Sequence, residues 1–99
     1  MARFDVYENP EEPGAFLDVQ SDLFDDYNTR VVVPLMPRGV APVQARFLNP
    51  EFTISDETLI MVTQYIGAVP RSILSRKIGN ISAQADQITR ATDMLFQGF

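Results

Sequence analysis

The apolar residues of this 99-residue chain change their period once, and that change limits the folds open to it. In "RFDVY", Phe4 and Val6 alternate with Arg3, Asp5 and Tyr7, which is the period of a half-buried strand. "AFLDVQ" resumes the alternation, with Leu17 and Val19 inward. "TRVVVPLMP" is apolar on both faces and reads as a strand covered on both sides. Pro34 cannot donate to a ladder, so its expected place is an edge or a bulge. From Ile78 onward the spacing becomes three and four: Ile78, Ile81, Ala85, Ile88, Thr92 and Leu95. That spacing marks one face of a helix. The expected order is therefore strands first and one amphipathic helix last.

The breaks between these runs carry turn chemistry. "ENPEEPG", with Pro10, Pro13 and Gly14, reads as a hairpin loop. "SDLFDDYN" reads as a loop that carries Leu23 and Phe24 outward. Residues 37–50 hold Pro37, Gly39, Pro42 and Pro50 and form an irregular connection. A second hairpin runs from Phe52–Ile54 through a turn at Ser55-Asp56 to Thr58–Gln64, and Pro70 closes the β-rich part. Gly79-Asn80 interrupts the later pattern, so the main helix is expected at about 82–96, with Ser82 as its N-cap and Asp86 at the positive end of its dipole. About five antiparallel strands of this size curl into a partly open barrel, which residues 1–99 fill as a single domain. Apolar positions on both faces of 31–36 and 59–62, Met36 and Met61 among them, exceed one small core and point to a twin subunit.

Composition narrows the chemistry. The chain has no cysteine and no histidine, which removes disulfides, thiolate chemistry, the commonest general base and the commonest metal ligand. No P-loop, glycine cradle or metal-ligand spacing is present, and Ser21, Ser55 and Ser72 have no histidine to activate them. No catalytic residue, metal or cofactor is therefore expected. Residues 1–26 carry eight acidic side chains against Arg3 alone, a net charge of -7, while the remainder holds seven Lys/Arg against five Asp/Glu. An acidic first quarter opposes direct nucleic-acid binding. No apolar run approaches the ~20 residues of a membrane span. No export signal precedes the first strand, so a cytoplasmic location is expected.

What remains is apolar surface in unusual places: Leu23-Phe24 in a polar loop, and Phe96 and Phe99 in the ending "DMLFQGF". Large apolar side chains without a core to join mark contact surface.

The stretches "FDVY" (4–7), "LDVQSD" (17–22), "RVVVPL" (30–35), "AVP" (68–70) and "MLFQGF" (94–99) resemble, in order and spacing, the CcdB toxins of toxin–antitoxin pairs. The resemblance spans essentially the whole chain. It implies an SH3-like barrel of antiparallel strands with a C-terminal helix, assembled as a homodimer. It implies a protein that is not an enzyme, but binds the A subunit of DNA gyrase and traps the complex holding cleaved DNA. It also implies a cognate antitoxin whose disordered segment wraps the toxin, and which itself contacts operator DNA in autoregulating transcription.

The gyrase-binding residues implied are Leu23, Phe24, Asp93, Phe96, Gln97, Gly98 and Phe99. Antitoxin contacts are implied around Tyr7, Glu8 and the acidic loop that follows, and around Gln64 and Tyr65. One position departs from the family pattern: Gln97 stands where the family has tryptophan. Two alternatives remain open at this point. One is an endoribonuclease on the same barrel, drawing on Arg3, Arg30, Arg71 and Arg76. The other is a non-toxic relative that binds only antitoxin.

Overall fold

The computed structural model describes residues 1–99. The molecule is mainly β: a curled antiparallel half-barrel with one C-terminal helix. The strands are β1 (Asp5–Glu8), β2 (Ala15–Asp18), β3 (Thr29–Pro37), β4 (Glu51–Ile54), β5 (Glu57–Met61), β6 (Gly67–Pro70) and β7 (Lys77–Asn80), followed by helix α1 (Ala85–Gln97). Their order in the sheet is β4-β5-β3-β2-β1-β7, with β6 paired to β3.

Strand β3 is the hub. One of its edges pairs with β2 through Val32–Leu35, while the other takes β6 along Thr29–Val32 and β5 along Leu35–Pro37. Pro34 lies mid-strand, neither on an outer edge strand nor at a bulge. Its carbonyl accepts the Val62 N–H at 2.9 Å, so its nitrogen faces the same side, in the gap where β6 has ended and β5 has not begun. The missing donor thus falls where no ladder partner asks for it.

Turn residues fix the registers. In the β1–β2 loop the Asn9 side-chain oxygen accepts the amides of Glu11 and Glu12, at 3.0 and 3.3 Å. Gly14 closes this loop at φ +119°, where a Cβ would land on the Leu35 carbonyl. Ser55 and Asp56 both take positive φ, 51° and 66°, the geometry of a tight two-residue hairpin between β4 and β5.

Both faces of β1 are covered. Phe4 and Val6 enter the main core, with Leu17, Val33, Leu35, Leu59 and Met61. Tyr7 joins a smaller cluster with Val32 and Leu74 on the other face. Residues 59–62 are buried within this one chain, Met61 and Val62 completely, so they are not spare surface for a twin subunit.

The end of the β region differs from the sequence expectation. Two further strands, β6 and β7, bring the sheet to seven. Ile78 lies in β7, which pairs with β1, and is not part of a helical face. Its spacing to Ile81 imitates a helix because Ile78 and Ile81 both pack on the main core. The helix begins at Ala85 after a 3₁₀ turn over Ser82–Gln84. Ser82 makes no cap; its own amide is held by the Asn80 side chain at 2.9 Å. Ile88 and Ala91 form the buried stripe of α1, and Asp86 does lie in its first turn.

Candidate functional site

The exposed apolar residues expected from the sequence are exposed in the fold. Leu23 is 87% exposed and Phe24 48%, and Phe96 and Phe99 are 69% and 81% exposed. They occupy two structures, the turn at Asp22–Phe24 and the end of α1, and no hydrogen bond or ion pair joins the two.

The loop is held from beneath. Ser21 Oγ accepts the Leu23 amide at 3.2 Å, and Gln20 donates its side-chain amide to the Phe24 carbonyl at 2.7 Å. Phe24 and Tyr27 rings lie 5.8 Å apart and tilted. The anchor is Arg30, which is fully buried. Its Nε donates to Asp18 Oδ2 at 2.8 Å, with Nη2 2.7 Å from the same oxygen, and its Nη1 reaches Asp25 Oδ1 at 3.1 Å. Arg71 donates to the Asp25 carbonyl and lies 3.6 Å from its carboxylate. Asp25 therefore closes the loop against two cations. Sequence reading missed this network: the alternation of β3 assigns no burial to a charge, and only the Asp18–Arg30 pairing across β2 and β3 allows it.

The helix end is capped by Gly98, which takes φ +80° and donates its amide to the Met94 carbonyl at 3.0 Å. That left-handed residue ends the helix and leaves Phe99 in solvent. On the last turn, Gln97 donates its side-chain amide to Asp93 at 3.4 Å, so two of the implied gyrase-binding residues are in contact.

The implied antitoxin residues fall in a second region. Pro10 and Glu12 of the acidic loop, with Phe16, Met36, Tyr65 and Ile73, line one groove of about 360 Å³. Tyr65 is 55% exposed there. Glu8 is exposed and paired with Arg76 at 3.1 Å, and the Gln64 side chain accepts from Asn49 at 2.8 Å. Tyr7 is different, being only 5% exposed, with its hydroxyl donating to Asp5 Oδ2 at 3.3 Å. Burial, then the neighbouring Asp5 charge, pushes the Tyr7 phenol up to about 12. Asp5 is also buried, which by itself would raise its carboxyl. Hydrogen bonds from Asn80 and Ala2, and the nearby Lys77 ammonium, outweigh burial and hold it below the usual range.

The four arginines named for an RNA-cleaving groove do not gather at one place, and the two that meet, Arg30 and Arg71, do so on the Asp25 carboxylate. Arg30 is buried against Asp18 and Asp25, Arg71 also engages Asp25, and Arg76 binds Glu8 on another strand edge. No three Asp or Glu side chains gather as metal ligands, and no helix is long and apolar enough to cross a membrane.

The family model described as CcdB protein matches residues 3–98 of the chain.

Proposed function

The chain belongs to the CcdB family of toxin–antitoxin toxins, and we propose that it acts as a gyrase poison by binding alone, in the cytoplasm and as a homodimer. Leu23 and Phe24 on the loop, and Asp93, Phe96, Gln97, Gly98 and Phe99 at the helix end, form the gyrase-binding surface. The observation that carries this reading is the helix end: two aromatic side chains stand in solvent beyond the core, on a helix stopped by a left-handed glycine. Neither contributes much to this chain's own burial, so their surface is available to a partner. The loop supports the reading in the same way, since the Asp18, Asp25, Arg30 and Arg71 side chains anchor it while Leu23 stays exposed.

Antitoxin binds the groove between the acidic loop and Tyr65. Glu11 and Glu12 there favour a segment that presents Lys or Arg beside apolar residues. Glu8 and Gln64 flank it, and Tyr7 acts from beneath by supporting the sheet.

Supercoiling and DNA-cleavage assays with gyrase from the source organism test the main reading. The expected result is loss of supercoiling together with accumulation of cleaved DNA. Micromolar protein producing neither would overturn it.

Gln97 favours one second reading, a relative that keeps the fold and antitoxin binding without poisoning gyrase. A buried tryptophan at an interface is worth about 2 kcal/mol or more, and the Gln97 amide is directed to Asp93 instead. Expression without antitoxin that leaves growth unaffected, together with retained antitoxin binding, would select this reading.

A further inference from the structure

Eight Lys and Arg residues face thirteen Asp and Glu in this chain, so every cation has acidic partners to choose from. Five of them, Arg30, Arg38, Arg71, Arg76 and Lys77, are in ion pairs. Of the three that are not, Arg46 and Arg90 meet at one place. Their guanidinium carbons lie 4.6 Å and 3.5 Å from the centre of the same ring, Phe47. Arg90 sits on α1 with Asp86 one turn before it and Asp93 one turn after, the spacings at which helical ion pairs form. It pairs with neither and lies over Phe47. Phe47 itself takes φ +66°, which a bulky side chain rarely adopts. Strain of this kind persists only where the surroundings impose it.

The surroundings are a built loop. Asn49, 5% exposed, accepts the Ala45 amide and donates to Met61 and Gln64, which fixes residues 45–49 against β5. Gln44 donates to the Asn49 carbonyl. Between this loop and α1 lies a cavity of about 630 Å³, in the size range of small-molecule sites. Arg46, Arg90 and Gln87 line it with exposed side chains, and the Gln87 amide makes no hydrogen bond within the chain.

We propose that this cavity binds a small organic phosphate monoester. Two guanidiniums held at one ring beside the cavity match a phosphate dianion, whereas a single carboxylate would neutralise only one of them. The cavity is larger than a phosphate ion needs, and Gln87 is placed to hydrogen-bond hydroxyl or ring-nitrogen groups on the organic part. The acidic remainder of the chain repels an extended polyanion, which favours a small ligand over a nucleic acid. The inference stands apart from gyrase binding and does not depend on it.

The test is a titration of the full chain, followed through its backbone amide resonances, with adenosine 5′-monophosphate and, separately, inorganic phosphate at matched ionic strength. Saturable shifts are expected at residues 45–47 and 87–90. Arg46→Met and Arg90→Met, which keep an apolar stem over Phe47, should each weaken binding about tenfold or more. Arg76→Met, on the distant Glu8 pair, should leave it unchanged. Arg90→Gln covers a folding failure of Arg90→Met: a folded Gln variant with unchanged affinity counts against the proposal. Equal affinity for phosphate and the nucleotide would overturn the assignment of an organic monoester, since the organic part would then contribute nothing. Absence of saturable shifts, unchanged binding in the Arg46→Met and Arg90→Met chains, or a response to single-stranded RNA without one to the mononucleotide would overturn it.

Discussion

Replacing Arg30 with Met removes one partner of a buried ion pair and leaves the other. Asp18 and Arg30 have no exposed side-chain surface and meet through contacts of 2.7 and 2.8 Å. Without Arg30, the Asp18 carboxylate keeps the Gln20 amide, at 3.0 Å, as its remaining hydrogen-bond donor. An uncompensated buried charge costs about 3–5 kcal/mol, against a total of about 5–15 kcal/mol for a domain of ordinary stability. Arg30→Met is therefore expected to lose about a fifth or more of the folding free energy. Asp25 suffers less, because it is 43% exposed and retains Arg71. Removing both charges, in Asp18→Leu/Arg30→Met, should recover most of the loss, since an apolar pair of similar volume is often as stable as the ions it replaces. Urea unfolding followed by circular dichroism on the wild type, both single variants and the double variant gives the coupling directly. Hydrogen exchange at the Leu23 amide should also accelerate in Arg30→Met as the loop loses its anchor. A cost below about 1 kcal/mol for Arg30→Met, or a double variant whose loss equals the sum of the singles, would refute the reasoning.

Three further outcomes are expected. Phe96→Ala and Phe99→Ala should each weaken gyrase binding by about tenfold or more while leaving the melting temperature unchanged, because both rings are already in solvent; a matching loss of stability would mean that they pack within the chain. Tyr7 has its folded-state value raised from 10.0 to about 12, so its stabilising share is complete below pH 10 and is lost as pH rises from 10 towards 12. A phenolate absorbance titration of Tyr7→Phe should lack the late-ionising component, and its stability should fall less steeply across that window. Gly14→Ala places a Cβ against the Leu35 carbonyl at φ +119° and should lower the urea midpoint by an amount equivalent to about 2 kcal/mol or more; an unchanged midpoint would mean that the β1–β2 loop rearranges freely.

The strands β1 to β5 were legible because each has an alternating or doubly covered apolar run and a turn with its own chemistry, such as Ser55-Asp56. Strand β6 was not. Gly67, Ala68 and Pro70 are exposed, so the segment is a strand through its backbone pairing with β3 and carries no apolar signature. Strand β7 was hidden by coincidence, since Ile78 and Ile81 reach one core from a strand and a turn at helical spacing. Leu23, Phe24, Phe96 and Phe99 could be found as apolar residues in polar or terminal settings. Arg30 could not, because a charge in a strand reads as solvent-facing until its partner across the sheet is known. Arg46 and Arg90 lie 44 positions apart and gain a common meaning only when the loop folds onto the helix.

The pairing of β1 with β7 has a consequence for when the molecule can exist at all. Asp5 meets the Asn80 side chain across 75 positions of sequence, and the Phe4 carbonyl waits for the Ile81 amide. Until both ends are present, β1 has a free edge and the main core lacks Ile81, Ile88 and Ala91. Pairings this distant in sequence are slow to form, over about milliseconds to seconds, whereas a ribosome adds only about 5–20 residues per second. Helix α1, which follows every strand in the sequence, is thus among the elements that complete the fold, through Ile88 and Ala91. A chain stopped before Ile81 would have neither the β1 backbone partner nor the helix stripe that closes the main core.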